Sequence, residues 1–160
     1  MKTRIYLDTS VPSAFYDTSK PVRQLMTQKW FENDSHDYEL VTSIVTINEI
    51  NEIKNVNKLK NIQDLILDYN VNILELSDKA IELAEEYIRL GAIPKSEKED
   101  AWHIAIATVN QIESLVSWNF KHIVNINPIR KIHQINISHG YLSIDIGSIE
   151  IFGGYKYGNI

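Results

Sequence analysis

Short apolar runs recur along this chain, each broken by capping or turn residues and each followed by a segment with helical spacing. That alternation constrains the fold more than any other feature, because strands that take turns with helices pair in parallel. Arg4-Ile5-Tyr6-Leu7 reads as a buried strand that stops at Asp8-Thr9-Ser10, any of which can cap a helix beginning near Val11-Pro12. Helical spacing covers 21–32, 43–50 and 59–69, and strands are expected over 38–42 and 71–76. Ser77 is positioned to cap a helix over 78–90 that Gly91 ends. Ser96-Glu97-Lys98-Glu99 has the form of a capping box ahead of a helix over 101–112. A fourth strand over 115–117, a helix over 128–137 and a last strand within 141–151 complete the pattern. The reading is an α/β domain spanning 1–152, with a mainly parallel central sheet flanked by helices. The tail, 153–160, is expected to be mobile.

In such sheets ligands bind beyond the carboxyl ends of the strands. Three acidic residues fall at such places. Asp8 directly follows the first strand, and Glu49 lies in the helix that follows the second. Asp100 sits in the first turn of the helix that precedes strand 115–117. Each has an ordinary structural reading beside the functional one. Asp8 can be a helix cap, Thr46 and Glu49 can form a capping box, and Asp100 can simply complement a helix dipole. Together they form a hard-oxygen set suited to Mg²⁺ or Mn²⁺. The chain has no cysteine, so neither disulfides nor thiolate sites compete, and a reducing compartment, the cytoplasm, is expected.

Four pieces of sequence carry a family resemblance: 5–10 (IYLDTS), 43–50 (SIVTINEI), 99–107 (EDAWHIAIA) and 115–123 (LVSWNFKHI). In this order and at these gaps the chain resembles the PIN-domain nucleases, in particular the VapC-like toxins of bacterial toxin–antitoxin pairs. The resemblance covers roughly residues 4–138. It implies a PIN-like three-layer fold and a metal-dependent endoribonuclease that leaves 5′-phosphate and 3′-hydroxyl ends. The family's acidic positions fall on Asp8, Glu49 and Asp100 as catalytic and metal-binding residues. Its fourth polar position, catalytic and metal-binding like the other three, falls on Asn119, where many members have Asp, which makes Asn119 a variant ligand in this resemblance. One ion can still be held well by three charges, while a second would bind more weakly or arrive with the substrate phosphate. The resemblance further implies Mg²⁺ (or Mn²⁺) as cofactor, RNA as substrate, a cognate antitoxin and a homodimer.

Several other residues divide between two readings. Ser10 or Thr9 can support Asp8 or a metal-bound water, or simply cap a helix. His103 shares a helix face with Asp100 and can orient a carboxylate, although a satisfied core histidine is the commoner outcome. Trp30, Trp102 and Trp118 read as core, with Trp118 open to substrate contact because it adjoins Asn119. Lys54, Lys58 and Lys60 form one loose basic group, and Lys121, Arg130 and Lys131 another; a solvated face is the default for both.

Taken alone, the charge argues against a nucleic-acid partner. Sixteen Lys and Arg oppose twenty-one Asp and Glu among 160 residues, for a net charge of −5. Three of those negative charges belong to the suspected metal site, so divalent cations would offset much of the excess. No apolar run is long enough to span a membrane. A second hypothesis is a PIN-like module that binds RNA or protein without cutting, motivated by Asn119 and the acidic balance. Phosphotransfer on a similar sheet fits poorly. A haloacid-dehalogenase-like phosphatase wants Asp where Ser10 stands, and a receiver domain wants a phospho-acceptor Asp where Leu74-Glu75-Leu76 ends its strand.

Overall fold

The computed structural model describes residues 1–153. Five strands form one sheet: β1 Thr3–Leu7, β2 Tyr38–Ser43, β3 Asn72–Leu74, β4 Ser114–Val116 and β5 Asp145–Gly147. Their order is β3-β2-β1-β4-β5, and every neighbouring pair is parallel. Seven α-helices accompany them among the described residues: α1 Ser10–Ala14, α2 Pro21–Lys29, α3 Ile44–Asn51, α4 Val56–Asp68, α5 Asp78–Arg89, α6 Lys98–Val109 and α7 Ile126–Ser138. None is long and apolar enough to cross a membrane.

The central strand shows why the layers form. Successive side chains of β1 point to opposite faces. Ile5 and Leu7 join Val11, Ala14, Met26, Trp30 and Phe31 in one core, under α1 and α2. Tyr6 joins Val41, Leu115, Leu83, Ile104 and Ile132 in the other, under α5, α6 and α7. Both faces are therefore covered, as a parallel sheet requires. Ile5, Ile104 and Ile106 are fully buried, and each contributes about 1.5–3 kcal/mol by leaving water. A smaller cluster, Ile50, Ile62 and Ile66, joins α3 to α4.

The expected order of strands and helices is present, and several boundaries move. The second helix does not run uniformly to Glu32. It leaves the α form after Lys29 for a π turn over Trp30–Asp34 and a 3₁₀ turn over Ser35–Asp37. The wider turn lets consecutive Trp30 and Phe31 both enter the core. Helix α4 starts earlier than expected because Asn55 Oδ1 caps it, accepting from Lys58 N at 3.1 Å. Helix α7 likewise starts at Ile126 because Asn125 Oδ1 accepts from Asn127 N. No capping box forms over 96–99; a 3₁₀ turn, Lys95–Glu97, leads directly into α6, whose cap position is Glu97 with no side-chain cap bond. The outer strands β3 and β5 are three residues each, shorter than the expected spans. The Ser77 cap is present, with Ser77 Oγ accepting from Ala80 N, and Gly91 after α5 takes φ +78°. Of the expected tail 153–160, all but Gly153 lies outside the described residues.

The strand order matters for chemistry. The chain lays β1, β2 and β3 outward in one direction, then returns to place β4 on the other side of β1. By the general rule for such sheets, the crevice for ligands lies outside the carboxyl ends of β1 and β4, where the order reverses.

Candidate metal and catalytic site

Asp8 occupies that crevice. Its backbone N–H donates to Val116 O at 3.3 Å and stitches the end of β1 to the end of β4. Its carboxylate is only 3% exposed. Oδ1 accepts from Ser10 N at 3.1 Å and from Ser10 Oγ at 2.5 Å, and Oδ2 accepts from Ser117 Oγ at 2.5 Å. The same two hydroxyls accept from the loop after β4: Ser10 Oγ from Trp118 N at 2.8 Å, and Ser117 Oγ from Asn119 N at 2.9 Å. Capping and site-building are thus one arrangement, since Asp8 holds the first amide of α1 while buried in the crevice. Burial raises its pKa above the usual carboxylate range, against the opposing pull of His103 and of the Ser10 and Ser117 hydroxyls.

Asp100 stands in the first turn of α6, and Asn119 Nδ2 donates to its Oδ2 at 3.1 Å. Asn119 Oδ1 accepts from His122 N at 2.9 Å. The amide thus donates at one end and accepts at the other, which a carboxylate at this position could not do. Asp100 is pushed up to about 7. Burial is the main cause, the charges of Asp8 and Glu97 add to it, and His103 and the Asn119 amide oppose it. Glu97 lies 3.8 Å from His122 Nε2, which brings His122 to the margin of the site.

Glu49 belongs to a different network. Ser43, not Thr46, caps α3, its Oγ accepting from Val45 N at 3.2 Å. Thr46 instead accepts from Thr42 Oγ1 at 2.8 Å, so the expected Thr46–Glu49 capping box is absent and Glu49 is free to turn toward the crevice. Its Oε1 accepts from Thr9 Oγ1 at 2.9 Å and pairs with His103 Nε2 at 2.7 Å. His103 is 2% exposed. Its Nδ1 meets Tyr6 Oη at 2.7 Å, and Tyr6 Oη meets Ser43 Oγ at 2.6 Å. With Nε2–H donating to Glu49, the Ser43 and Tyr6 hydroxyls can run toward Nδ1 when the ring is neutral, or away from an Nδ1–H when it is charged, so every group stays satisfied in both forms. Both readings of His103 therefore hold: it is a satisfied core histidine, and it fixes a carboxylate. Burial works to raise the pKa of Glu49, but the hydrogen bond and charge of His103 and the Thr9 hydroxyl outweigh it, so the net shift is downward. Burial also raises Tyr6, which keeps its hydroxyl protonated as a donor.

The expected residues thus form two linked groups, Asp8 with Asp100 and Asn119, and Glu49 with Thr9 and His103. His103 acts electrostatically on all three acids. Ser117 and Tyr6 belong to the site and were not singled out in the sequence. Ser117 was legible only as a polar residue at a strand end beside Asn119; Tyr6 looked like core. Five of the six grouped basic residues, Lys54, Lys60, Lys121, Arg130 and Lys131, are exposed, as a solvated face requires.

Among the described residues, no three His, Asp or Glu side chains stand close enough together to cage a metal by themselves. The donor chemistry still suits a hard cation. Asp8 and Asp100 keep raised pKa values although His103 acts on both, and their direct hydrogen-bond donors are hydroxyls and amides. Mg²⁺ is typically held by one or two carboxylates while keeping waters and substrate oxygens. A cavity of about 800 Å³ lies elsewhere, lined by Arg4, Tyr38, Tyr69 and Glu113 at the opposite ends of the strands, and none of the expected site residues borders it.

Comparison with known proteins places these observations in a family. The model of the PIN domain matches residues 5–119. No curated protein matches the sequence. Among solved structures, the chain is similar to Mycobacterium tuberculosis VapC20, described as a sarcin-ricin loop cleaving toxin. The TM-score is 0.58 and identity 14%, over 88% of this chain and 98% of that one. It is also similar to VapBC2 from Rickettsia felis, solved bound to a DNA fragment from their promoter. There the TM-score is 0.54 and identity 14%, over 90% of this chain and 97% of that one. At these identities the likeness concerns the fold.

Proposed function

This chain belongs to the PIN domain family, and from that premise we propose that it is a divalent-metal-dependent endoribonuclease acting as the toxin of a toxin–antitoxin pair. The observation that carries the reading is the pair Asp8 and Asp100 at the strand-order crevice, both with raised pKa. Asp8 and Asp100 would hold Mg²⁺ or Mn²⁺, with Glu49 and Asn119 bordering it. A bound cation supplies charge for a phosphodiester oxygen and lowers the pKa of water. The chain's own residues do the positioning. Ser10 and Ser117 orient both oxygens of Asp8, Asn119 orients Asp100, and His103 with Thr9 fixes Glu49 Oε1. Glu49, whose pKa those partners lower, stays ionised and is the candidate to accept a hydrogen bond from attacking water and so orient it.

The test is cleavage of a stem–loop RNA with Mg²⁺ or Mn²⁺, with Asp8→Asn as control; cleavage retained by that variant would overturn the assignment. The partner in this reading is an antitoxin that puts a basic side chain among the acids, with the toxin forming a homodimer. A short upstream reading frame of antitoxin type would support it. One observation favours a second reading, a non-catalytic PIN-like module that binds RNA or protein: no ready-made three-residue cage exists among the described residues. Calorimetric titration with Mn²⁺ separates the two, since a module without metal chemistry gives no binding heat.

A further inference from the structure

The loop after β4 does more than carry Asn119. Its two neighbours face another way. Trp118 is 6% exposed and its indole Nε1 donates to Thr27 Oγ1 at 3.0 Å, which fixes the ring against α2. Phe120 is 43% exposed and stands edge-on to Trp118, with ring centroids 6.0 Å apart. The guanidinium of Arg23 lies over both rings, 4.9 Å from the Trp118 centroid and 5.5 Å from that of Phe120. These residues, with Lys20, Val22 and Met26, line an open groove of about 350 Å³ among the described residues. Its size falls in the range of small-ligand sites.

From this geometry we infer that the Arg23–Trp118–Phe120 shelf is a stacking subsite for one base of single-stranded RNA next to the cleaved phosphate. The inference rests on the nuclease reading and deepens it. Three observations select a nucleotide as occupant. The shelf offers an exposed aromatic ring and a planar cation, the two surfaces on which unpaired bases stack. Its charged groups are Arg23, Lys20 and Glu150, two cations against one anion, a balance that suits the phosphate beside a stacked base. It is also covalently continuous with the site, because Asn119, which holds Asp100, lies between Trp118 and Phe120. The segment is tied to the site, because Trp118 N and Asn119 N donate to the two hydroxyls that hold Asp8. A base seated on Phe120 therefore sets which phosphodiester reaches the acids.

The experiment measures binding of a fluorescent single-stranded RNA to the full chain bearing Asp8→Asn, with Mn²⁺ present, alongside cleavage by the chain with Asp8 intact. Phe120→Ala should weaken RNA binding by roughly 5- to 150-fold, the span of one lost base stack, and raise KM more than it lowers kcat. Phe120→Tyr should bind normally, whereas Phe120→Leu, which keeps the apolar bulk, should behave like Phe120→Ala. Abasic substitutions scanned along the RNA should find one position, beside the cut, where losing the base weakens the parent protein but not Phe120→Ala. Unchanged affinity in Phe120→Ala, or equal losses at every abasic position in both proteins, overturns the inference. So does a Phe120→Ala variant altered only in self-association by light scattering, because the groove is then a protein contact. Cleavage that is intact and indifferent to Phe120 refutes the shelf alone. RNA that stacks on the shelf but is never cut by the Asp8-containing chain refutes the nuclease reading alone.

Discussion

The two halves of the site solve the problem of buried charge in opposite ways. Around Asp8 and Asp100, burial wins: both acids have raised pKa although hydroxyls and an amide donate to them. Around Glu49, donors win: His103 and Thr9 hold it below its usual value despite burial. Both halves touch the same crevice, and His103 acts on each. The difference teaches which half is complete. The Glu49 half is balanced by the chain itself, whereas burial leaves both carboxyls of the Asp8–Asp100 half shifted toward their protonated forms, the imbalance that the proposed cation would offset.

The largest expected effect comes from removing the charge at the centre of the incomplete half. Asp8→Asn should lower RNA cleavage about a thousandfold or more, of the order lost with a central electrostatic group, while raising the thermal midpoint of the metal-free protein. A midpoint that falls would show that the carboxylate is not strained there. Next comes the hub of the balanced half. His103→Ala leaves the Tyr6 hydroxyl and Glu49 Oε1 without their shared partner, and should cost about 2–3 kcal/mol in urea unfolding. A loss under half a kilocalorie would mean that water replaces the ring. Ser117→Ala removes one of the two hydroxyls on Asp8 and should cost about 1–2 kcal/mol, with Asp8 titrating still higher by NMR.

The smallest effect is a pH slope. Asp100 has an ordinary pKa of 3.8 when unfolded and about 7 when folded. Between those values the folded chain holds the proton more tightly, so the metal-free protein should lose stability as pH rises from 5 to 8 and level off above. Glu49 acts in the opposite sense, but only at pH below its usual value, outside this window. Calorimetric melting should therefore give a midpoint falling by a few degrees. Asp100→Asn or saturating Mg²⁺ should each flatten the slope. A midpoint that rises across this range would reverse the comparison between the halves.

Much of this was legible in the sequence because it depends on local pattern. β1 is announced by three apolar residues ending in Asp8, and the Ser77 and Gly91 ends of α5 follow from local backbone chemistry. Asp8, Asp100 and Asn119 could be placed because strand ends in a parallel sheet share an edge. The rest depends on long-range meeting. Ser117 bonds to a carboxylate 109 positions away, and Tyr6, apolar in every sequence pattern, uses its hydroxyl on a histidine 97 positions away. The Thr46–Glu49 spacing suggested a cap, but Ser43 was already in that role and tertiary partners claimed both side chains. The π turn at Trp30 was hidden because periodicity alone does not show that two adjacent large residues must both turn inward.

The placement of β4 beside β1 has a consequence for synthesis. Asp8, Glu49 and Asp100 are all made before the ribosome reaches Ser117, yet Asp8 lacks one of its two hydroxyl partners until that residue emerges, and Asp100 lacks its amide until Asn119 follows. Closing so long a loop is slow and entropically costly. A growing chain therefore carries Asp8 and Glu49 for a large part of its translation without the site itself, and the crevice exists only once most of the protein has been completed.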